Sequence, residues 1–204
     1  MAERAQLSSQ LPVGALNTRA SGWWAMIFTV FTEASLFAYL LFSYYYLAVQ
    51  PHFPGTFPEG GRPALTLALP NTIILLLSSA SVAWAQLGIE RGNRARLAWG
   101  LGIGACLGLV FLVIQYFEWA QMPFALASSP YSSLYFVVTG FHMAHVTVGV
   151  AMLAALTWWS AQGYFNRVRY AHIHIGALYW HFVDVVWLAV FFTFYITPLL
   201  GLRA

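Results

Sequence analysis

Five stretches of the chain are each long enough and apolar enough to cross a lipid bilayer as an α-helix, which needs about 20 residues. They run from Gly22 to Gln50, Leu65 to Leu87, Leu97 to Trp119, Ser132 to Ser160 and Ala177 to Leu199. Only 7% of the 204 residues are charged and 60% are apolar, against about 25% and 45–50% in soluble domains. The sequence therefore predicts an all-α, polytopic membrane protein, with an N-terminal segment at 1–21 and one five-helix domain at 22–204.

The arginines predict the orientation of these spans. With five crossings, one side of the membrane receives seven of them: Arg4, Arg19, Arg91, Arg94, Arg96, Arg167 and Arg169. The positive-inside rule then places the N-terminus in the cytoplasm and the C-terminus outside. On that side Arg91, Arg94, Arg169 and the nearby His172 are candidates for contact with anionic lipid headgroups.

Charge and cysteine content exclude several classes of function. The net charge is +3, but no basic cluster is longer than Arg91, Arg94 and Arg96, so we expect no nucleic-acid partner. Cys106 is the single cysteine. One cysteine forms no disulfide within the chain, no thiolate zinc site and no two-cysteine copper centre.

Small residues predict where helices approach closely. Gly100, Gly104 and Gly108 recur every four residues in the third span, which makes a groove on one face of that helix. The second span carries Ser78, Ser79, Ala80 and Ser81, and we interpret this run as serving the same close packing.

Ionisable side chains at membrane depth are costly and are functional candidates by default. Glu33 lies eleven residues beyond Gly22, about 16 Å along a helix and close to the midplane. His142 and His145 lie at a similar depth in the fourth span, three residues apart, so they project from nearly one face. We expect Glu33 to contact His142 or His145, as a buried polar clamp or as part of a proton relay.

The fifth span carries a second candidate pair, His181 and Asp184, again three residues apart. A carboxylate bonded to an imidazole fixes its tautomer, which serves metal ligands, proton carriers and structural clamps alike. A haem between the fourth and fifth helices remains an alternative. Glu118, at the outer end of the third span beside Trp119, is expected to be interfacial and hydrated.

Three stretches then resemble subunit III of the haem-copper terminal oxidases. They are WWAMIFTVFTEASLFAYLLF at 23–42, LYFVVTGFHMAHVTVG at 134–149 and YWHFVDVVWLAVF at 179–191. Shorter matches are NTIILLLSS at 71–79 and QYFEW at 115–119. Glu33, His142, His145, His181 and Asp184 all fall on patterned positions of that family. Five spans resemble its short bacterial form, which lacks the first two helices of the longer members.

The resemblance implies an accessory subunit without a redox centre of its own. Such a subunit packs against oxidase subunit I in a complex that includes subunit II, and the haem and copper reside in those partners. It holds phospholipid and supports proton uptake while oxygen is reduced to water. The resemblance also implies a bacterial inner-membrane location, a cytochrome c oxidase, and a lipid cleft between helices I–II and helices III–V.

Other functions stay open at this point. Quinol oxidases and nitric oxide reductases have five-helix relatives of the same subunit. A proton-coupled transporter could be built around Glu33, although Pro70 and Pro198 lie only at span ends, whereas transporters more often break helices near the midplane. A small membrane cytochrome of the b type is the third alternative.

Overall fold

The computed structural model describes residues 21–50, 65–165 and 170–200, and these form a bundle of long helices without strands. The helices are α1 (Ser21–Ala48), α2 (Leu65–Glu90), α3 (Arg94–Ala120), α4 (Pro130–Ala161) and α5 (Ala171–Phe191). A π-helical turn (Phe192–Ile196) and one last turn (Thr197–Leu199) continue α5. All five are long and apolar enough to span a membrane. The predicted spans are therefore confirmed, although the fifth begins at Ala171 rather than Ala177.

Local sequence explains where the helices begin and end. Ser129 and Ser132 form a capping box at the start of α4, in which each side chain accepts a hydrogen bond from the other residue's backbone N–H. Pro130 follows in the first helical position, where its missing N–H loses no helical bond. Gly92, with a φ of +76°, turns the chain between α2 and α3, in a conformation that glycine adopts without strain.

The predicted close approach of another helix to the glycine face of α3 is confirmed, and at Gly100 and Gly104 that helix is α2. A Cβ added at Gly100 would lie 2.7 Å from the Ala85 Cβ, and one added at Gly104 would lie 2.7 Å from Val82 Cγ2. The Ser81 hydroxyl donates to the Gly100 carbonyl across 2.8 Å. The groove is thus filled within the chain itself.

Trp180 of α5 occupies the centre of the bundle. A Cβ at Gly108 of α3 or at Gly149 of α4 would lie within 2.7 Å of its indole ring, and the indole N–H donates to Ser78 of α2 across 3.1 Å. Trp180 is fully buried. One side chain therefore joins four of the five helices.

The grouping of helices corrects one expectation. Helix α2 packs against α3 over most of its length and also against α5, whereas α1 packs mainly against α4 and α5. The expected division, with helices I–II standing apart from helices III–V, is therefore wrong for the described residues. The reason is the small-residue faces of α2 and α3, which bring those two helices together.

Gly100→Ala should destabilise the bundle, because the new methyl group would lie 2.9 Å from the backbone carbonyl of Ser81. Overpacking of this kind costs about 1–3 kcal/mol, so the melting temperature in mild detergent should fall. Gly102→Ala is the matched control on the same helix, since its methyl group would meet only Thr157 Cγ2 at 3.5 Å. Equal melting temperatures for the two variants would contradict this packing.

Candidate functional site: polar groups at membrane depth

Glu33 of α1 and His145 of α4 form a hydrogen-bonded pair between the two helices. Glu33 Oε2 lies 3.0 Å from His145 Nε2, and His145 Nδ1 lies 2.6 Å from the Phe141 carbonyl oxygen. The side chains of Glu33 and His145 are 31% and 15% exposed on the bundle surface. The predicted contact of Glu33 with a histidine of α4 is confirmed for His145.

The hydrogen bond to the Phe141 carbonyl determines where the protons of this pair lie. A carbonyl only accepts, so His145 Nδ1 must carry a proton and donate it. The hydrogen bond to Glu33 then holds one further proton, either on the carboxyl or on His145 Nε2. The pair is electrically neutral in both arrangements.

His142, the alternative partner for Glu33, lies among aromatic side chains instead. Its ring is fully buried and stacks on Trp187, with a centroid distance of 4.8 Å. The edges of Phe37 and Phe111 complete its surroundings, and neither ring nitrogen makes a hydrogen bond within the described part of the chain. The expectation that both histidines project toward Glu33 is wrong for His142, because three residues rotate a side chain about 60° around the helix.

The predicted pairing of His181 with Asp184 is not formed either. His181 Nδ1 lies 2.6 Å from the Ser79 hydroxyl and His181 Nε2 lies 3.4 Å from Gln86 Oε1, so both partners come from α2. Asp184 is buried, and neither of its carboxyl oxygens forms a hydrogen bond within the described residues. The two residues share a helix face, but the hydrogen bonds of His181 run to the facing helix.

The expectation that Glu118 is interfacial and hydrated is wrong. Glu118 is buried rather than hydrated, and it accepts a hydrogen bond from the Tyr195 hydroxyl. Tyr195 in turn lies 3.0 Å from the Tyr135 hydroxyl. Gln115, one turn before Glu118, is also buried and bonded to Asn71. Gln115 and Glu118 are three residues apart and share a helix face, which is the sequence signal for a shared polar site. Their position near the helix end favoured a hydrated site instead.

The candidates for headgroup contact lie at the ends of helices. Arg91 and Arg94 are exposed at the turn between α2 and α3, and His172 is exposed in the first turn of α5. Arg169 lies outside the described residues. Arg96 behaves differently, because its Nε donates to the Trp84 carbonyl and its guanidinium lies over the Trp84 ring, 4.7 Å from the centroid.

Comparison with known proteins identifies the family. The sequence profile of cytochrome c oxidase subunit III matches residues 16–198. The chain belongs to this family. The cytochrome c oxidase subunit 3 of Synechocystis sp. is 37% identical over 168 residues, covering 80% of this chain and 70% of that protein. The proteins of the same name from Petromyzon marinus and Drosophila melanogaster are 35% and 31% identical over 177 residues, covering 84% of this chain and 68% of each relative.

The ionisable side chains of this subunit III chain are dispersed among its described residues. No group of three or more histidine, cysteine, aspartate or glutamate side chains lies together there. Three of the residues that carry the family resemblance, Glu33, His145 and His181, form hydrogen bonds between helices. Glu33 bonds His145, and Tyr179 donates to the His145 carbonyl across 3.4 Å.

A double-mutant cycle should detect the hydrogen bond between Glu33 and His145. Each alanine variant leaves a polar partner unsatisfied, which costs about 1–3 kcal/mol, so the double variant should be less destabilised than the sum of the two single variants. Thermal unfolding in detergent measures the difference. Ser35→Ala combined with His145→Ala is the control and should be additive, since the Ser35 hydroxyl bonds only the Phe31 carbonyl of its own helix. Additivity of the Glu33 pair would contradict the bond.

His142→Phe should be tolerated, because the histidine ring contributes stacking and no hydrogen bond. A phenylalanine keeps an aromatic ring on Trp187, and such conservative core changes cost less than about 1.5 kcal/mol. His142→Ala removes the ring and should cost about 3–5 kcal/mol, as for other buried aromatic truncations. Equal destabilisation by the two variants in thermal unfolding would show that the imidazole nitrogens matter.

Proposed function

We propose that this protein is a non-redox accessory subunit of a bacterial cytochrome c oxidase, embedded in the inner membrane and bound to oxidase subunits I and II. The observation that carries the proposal is the family match over residues 16–198, which extends through all five helices. The relative from Synechocystis sp. supports a bacterial setting. Haem and copper reside in the partner subunits, and this chain stabilises subunit I.

The hydrogen bonds of three histidines support a role without a redox centre. His145 and His181 use both ring nitrogens in hydrogen bonds to protein groups. His174 bonds Gln86 through one nitrogen and faces Glu90 with the other. A haem ligand needs an imidazole nitrogen directed at the iron. Binding haem at His145, His174 or His181 would require these bonds to break, and the ring of His142 is enclosed by Trp187, Phe37 and Phe111.

The outer face of α1 is the surface we assign to another subunit. Its side chains recur every three or four residues, with one gap of eight, and all are at least half exposed: Trp24, Phe28, Phe31, Tyr39, Phe42 and Tyr46. We call this surface the aromatic stripe. We propose that a helix of a partner subunit packs on the aromatic stripe, because aromatic side chains are enriched at protein interfaces.

Polar groups at the helix ends and within the bundle support roles in lipid binding and in proton uptake. Arg91 and Arg94 with His172 are exposed at helix ends, where anionic headgroups meet basic side chains. The pair of Glu33 and His145 holds one proton within the bundle and is partly exposed on its surface. We propose that this pair, with the partly buried His181 and the buried Asp184, supports proton uptake by the oxidase, while the arginines hold phospholipid.

Mass spectrometry of the material that co-purifies with the tagged chain from native membranes in mild detergent tests the proposal. We expect a large haem-copper subunit and a copper-containing subunit II. A quinol-oxidase subunit II instead would transfer the role to the quinol branch. Recovery of the chain alone, or with transport proteins, would overturn the oxidase assignment and favour a proton-coupled transporter.

The same purification tests the aromatic stripe. Phe31→Ala combined with Tyr39→Ala should reduce recovery of the large subunit several-fold, because aromatic side chains carry much of the binding energy at interfaces. Ile73→Ala combined with Leu77→Ala is the control, since both side chains are exposed on α2. Equal recovery with both double variants would place the contact elsewhere.

A further inference from the structure

Three buried polar side chains meet near one end of the bundle, where α2 begins and α3 ends. Asn71 and Gln115 are fully buried, and Glu118 is 5% exposed. One polar atom of each side chain, Asn71 Oδ1, Gln115 Nε2 and Glu118 Oε2, is buried without a hydrogen-bond partner within the described residues. We call these three side chains the Asn71 site.

The Phe111 carbonyl determines how both amides of the Asn71 site are oriented. Asn71 Nδ2 lies 3.3 Å from the Phe111 carbonyl oxygen and 3.4 Å from Gln115 Oε1. A carbonyl only accepts, so Asn71 must direct its NH₂ group at Phe111. The same NH₂ group donates to Gln115, which must therefore present its oxygen. The atoms left over are an acceptor, Asn71 Oδ1, and a donor, Gln115 Nε2.

Glu118 adds a second acceptor beside them. The Tyr195 hydroxyl donates to Glu118 Oε1, which leaves Oε2 with a free lone pair in either protonation state of the carboxyl. Gln115 and Glu118 are three residues apart and are neighbours on one face of α3, and the Asn71 amide touches that of Gln115. The site thus offers two acceptors and one donor on adjoining side chains.

This set of atoms selects the chemistry of a ligand. A molecule that pairs all three must donate two hydrogen bonds and accept one. A metal ion or an ammonium group cannot accept from the Gln115 N–H, and a halide cannot donate to the two oxygens. Water can do both, and buried waters in proteins make about three hydrogen bonds to groups that otherwise have no partner.

We propose that the Asn71 site holds a buried water molecule, which donates to Asn71 Oδ1 and Glu118 Oε2 and accepts from Gln115 Nε2. Glu118 continues the network to Tyr195, whose hydroxyl lies 3.0 Å from that of Tyr135. The water therefore completes a hydrogen-bonded link of α2 and α3 with α4 and α5. It depends on side chains of this chain alone and holds whether or not the proposed oxidase role does.

The position of the Asn71 site gives water access to it. Glu118 lies two residues before the end of α3 and Asn71 lies six residues into α2, which are about 3 Å and about 9 Å along a helix. Half of a hydrocarbon core measures about 15 Å. Water reaches the site from the nearer membrane boundary without crossing the middle of the bilayer, and its binding relieves the destabilising effect of three unpaired buried atoms.

Solid-state NMR of the full-length chain in lipid bilayers tests the proposal. With ¹⁵N-labelled asparagine, glutamine and tryptophan, the transfer of magnetisation from water protons to each side-chain N–H is measured, and Asn71→Leu and Gln115→Leu assign the two amide signals. We expect transfer to the Gln115 NH₂ group to be several-fold faster than to the indole N–H of Trp187. That indole is the matched control, because it is equally buried and donates directly to Thr72, the residue after Asn71, across 3.0 Å.

Two variants at Glu118 separate a bridging water from other arrangements. Glu118→Gln should keep the fast transfer to Gln115, because water can either donate to or accept from the new amide. Gln115→Leu combined with Glu118→Leu leaves one polar partner, fewer than a buried water needs, so transfer to Asn71 should fall to the Trp187 level. An unchanged Trp187 signal shows that the variants retain the fold.

A slow transfer to Gln115 in the wild-type chain, equal to that of Trp187, would overturn the proposal and indicate that Gln115 donates directly to Glu118. Fast transfer to Asn71 that persists in the double leucine variant would also overturn it, since that water would have to lie outside the Asn71 site.

Discussion

The position of Trp180 determines where the polar groups of this bundle meet. Its ring fits against the glycine faces of α3 and α4, and its N–H bonds Ser78 of α2, so it fixes α5 in both rotation and height. Its neighbours in sequence then point in set directions. Tyr179 reaches the carbonyl of His145 on α4, while His181 reaches Ser79 on α2. Lipid offers no hydrogen bonds to replace these contacts, so the interhelical polar network depends on this packing.

The C-terminal part of α5 is positioned by a local change in helix geometry. A π-helical turn at Phe192–Ile196 shifts the register of the helix, as such turns do by adding a residue to one turn. It contains Tyr195, which donates to Glu118 and contacts Tyr135, and Thr193, whose hydroxyl lies 3.1 Å from that of Tyr45. One altered turn thereby links α5 to α1, α3 and α4. A continuous α-helix would rotate these side chains away from one another.

The sequence was sufficient for the helices and for one of the polar contacts, and the reasons are physical. Long apolar runs can only be spans, and glycines every four residues can only face a close neighbour, so the five helices and a close approach to the glycine face of α3 were predictable, but the identity of the neighbouring helix was not. Depth along the helix also predicted that Glu33 contacts His142 or His145. The direction in which each side chain points around the helix axis was harder to predict. His142 and His145 differ by about 60° around the axis, and this difference places His142 among aromatic rings and His145 beside Glu33. The partners of His181 lie on α2, whose register against α5 depends on Trp180 and the glycine faces rather than on local sequence.

The neutrality of the Glu33–His145 pair explains how a carboxyl is tolerated on α1, the least buried of the helices. An ionised carboxylate exposed to lipid is strongly disfavoured, and Glu33 is 31% exposed. The Phe141 carbonyl requires His145 to donate from Nδ1, so the remaining proton is shared with Glu33 and the pair carries no net charge in either arrangement. Moving that proton between oxygen and nitrogen changes a local dipole but brings no net charge into the membrane. The pair can therefore lie at the surface of the bundle, where lipid or a partner subunit covers it, without a third charged group.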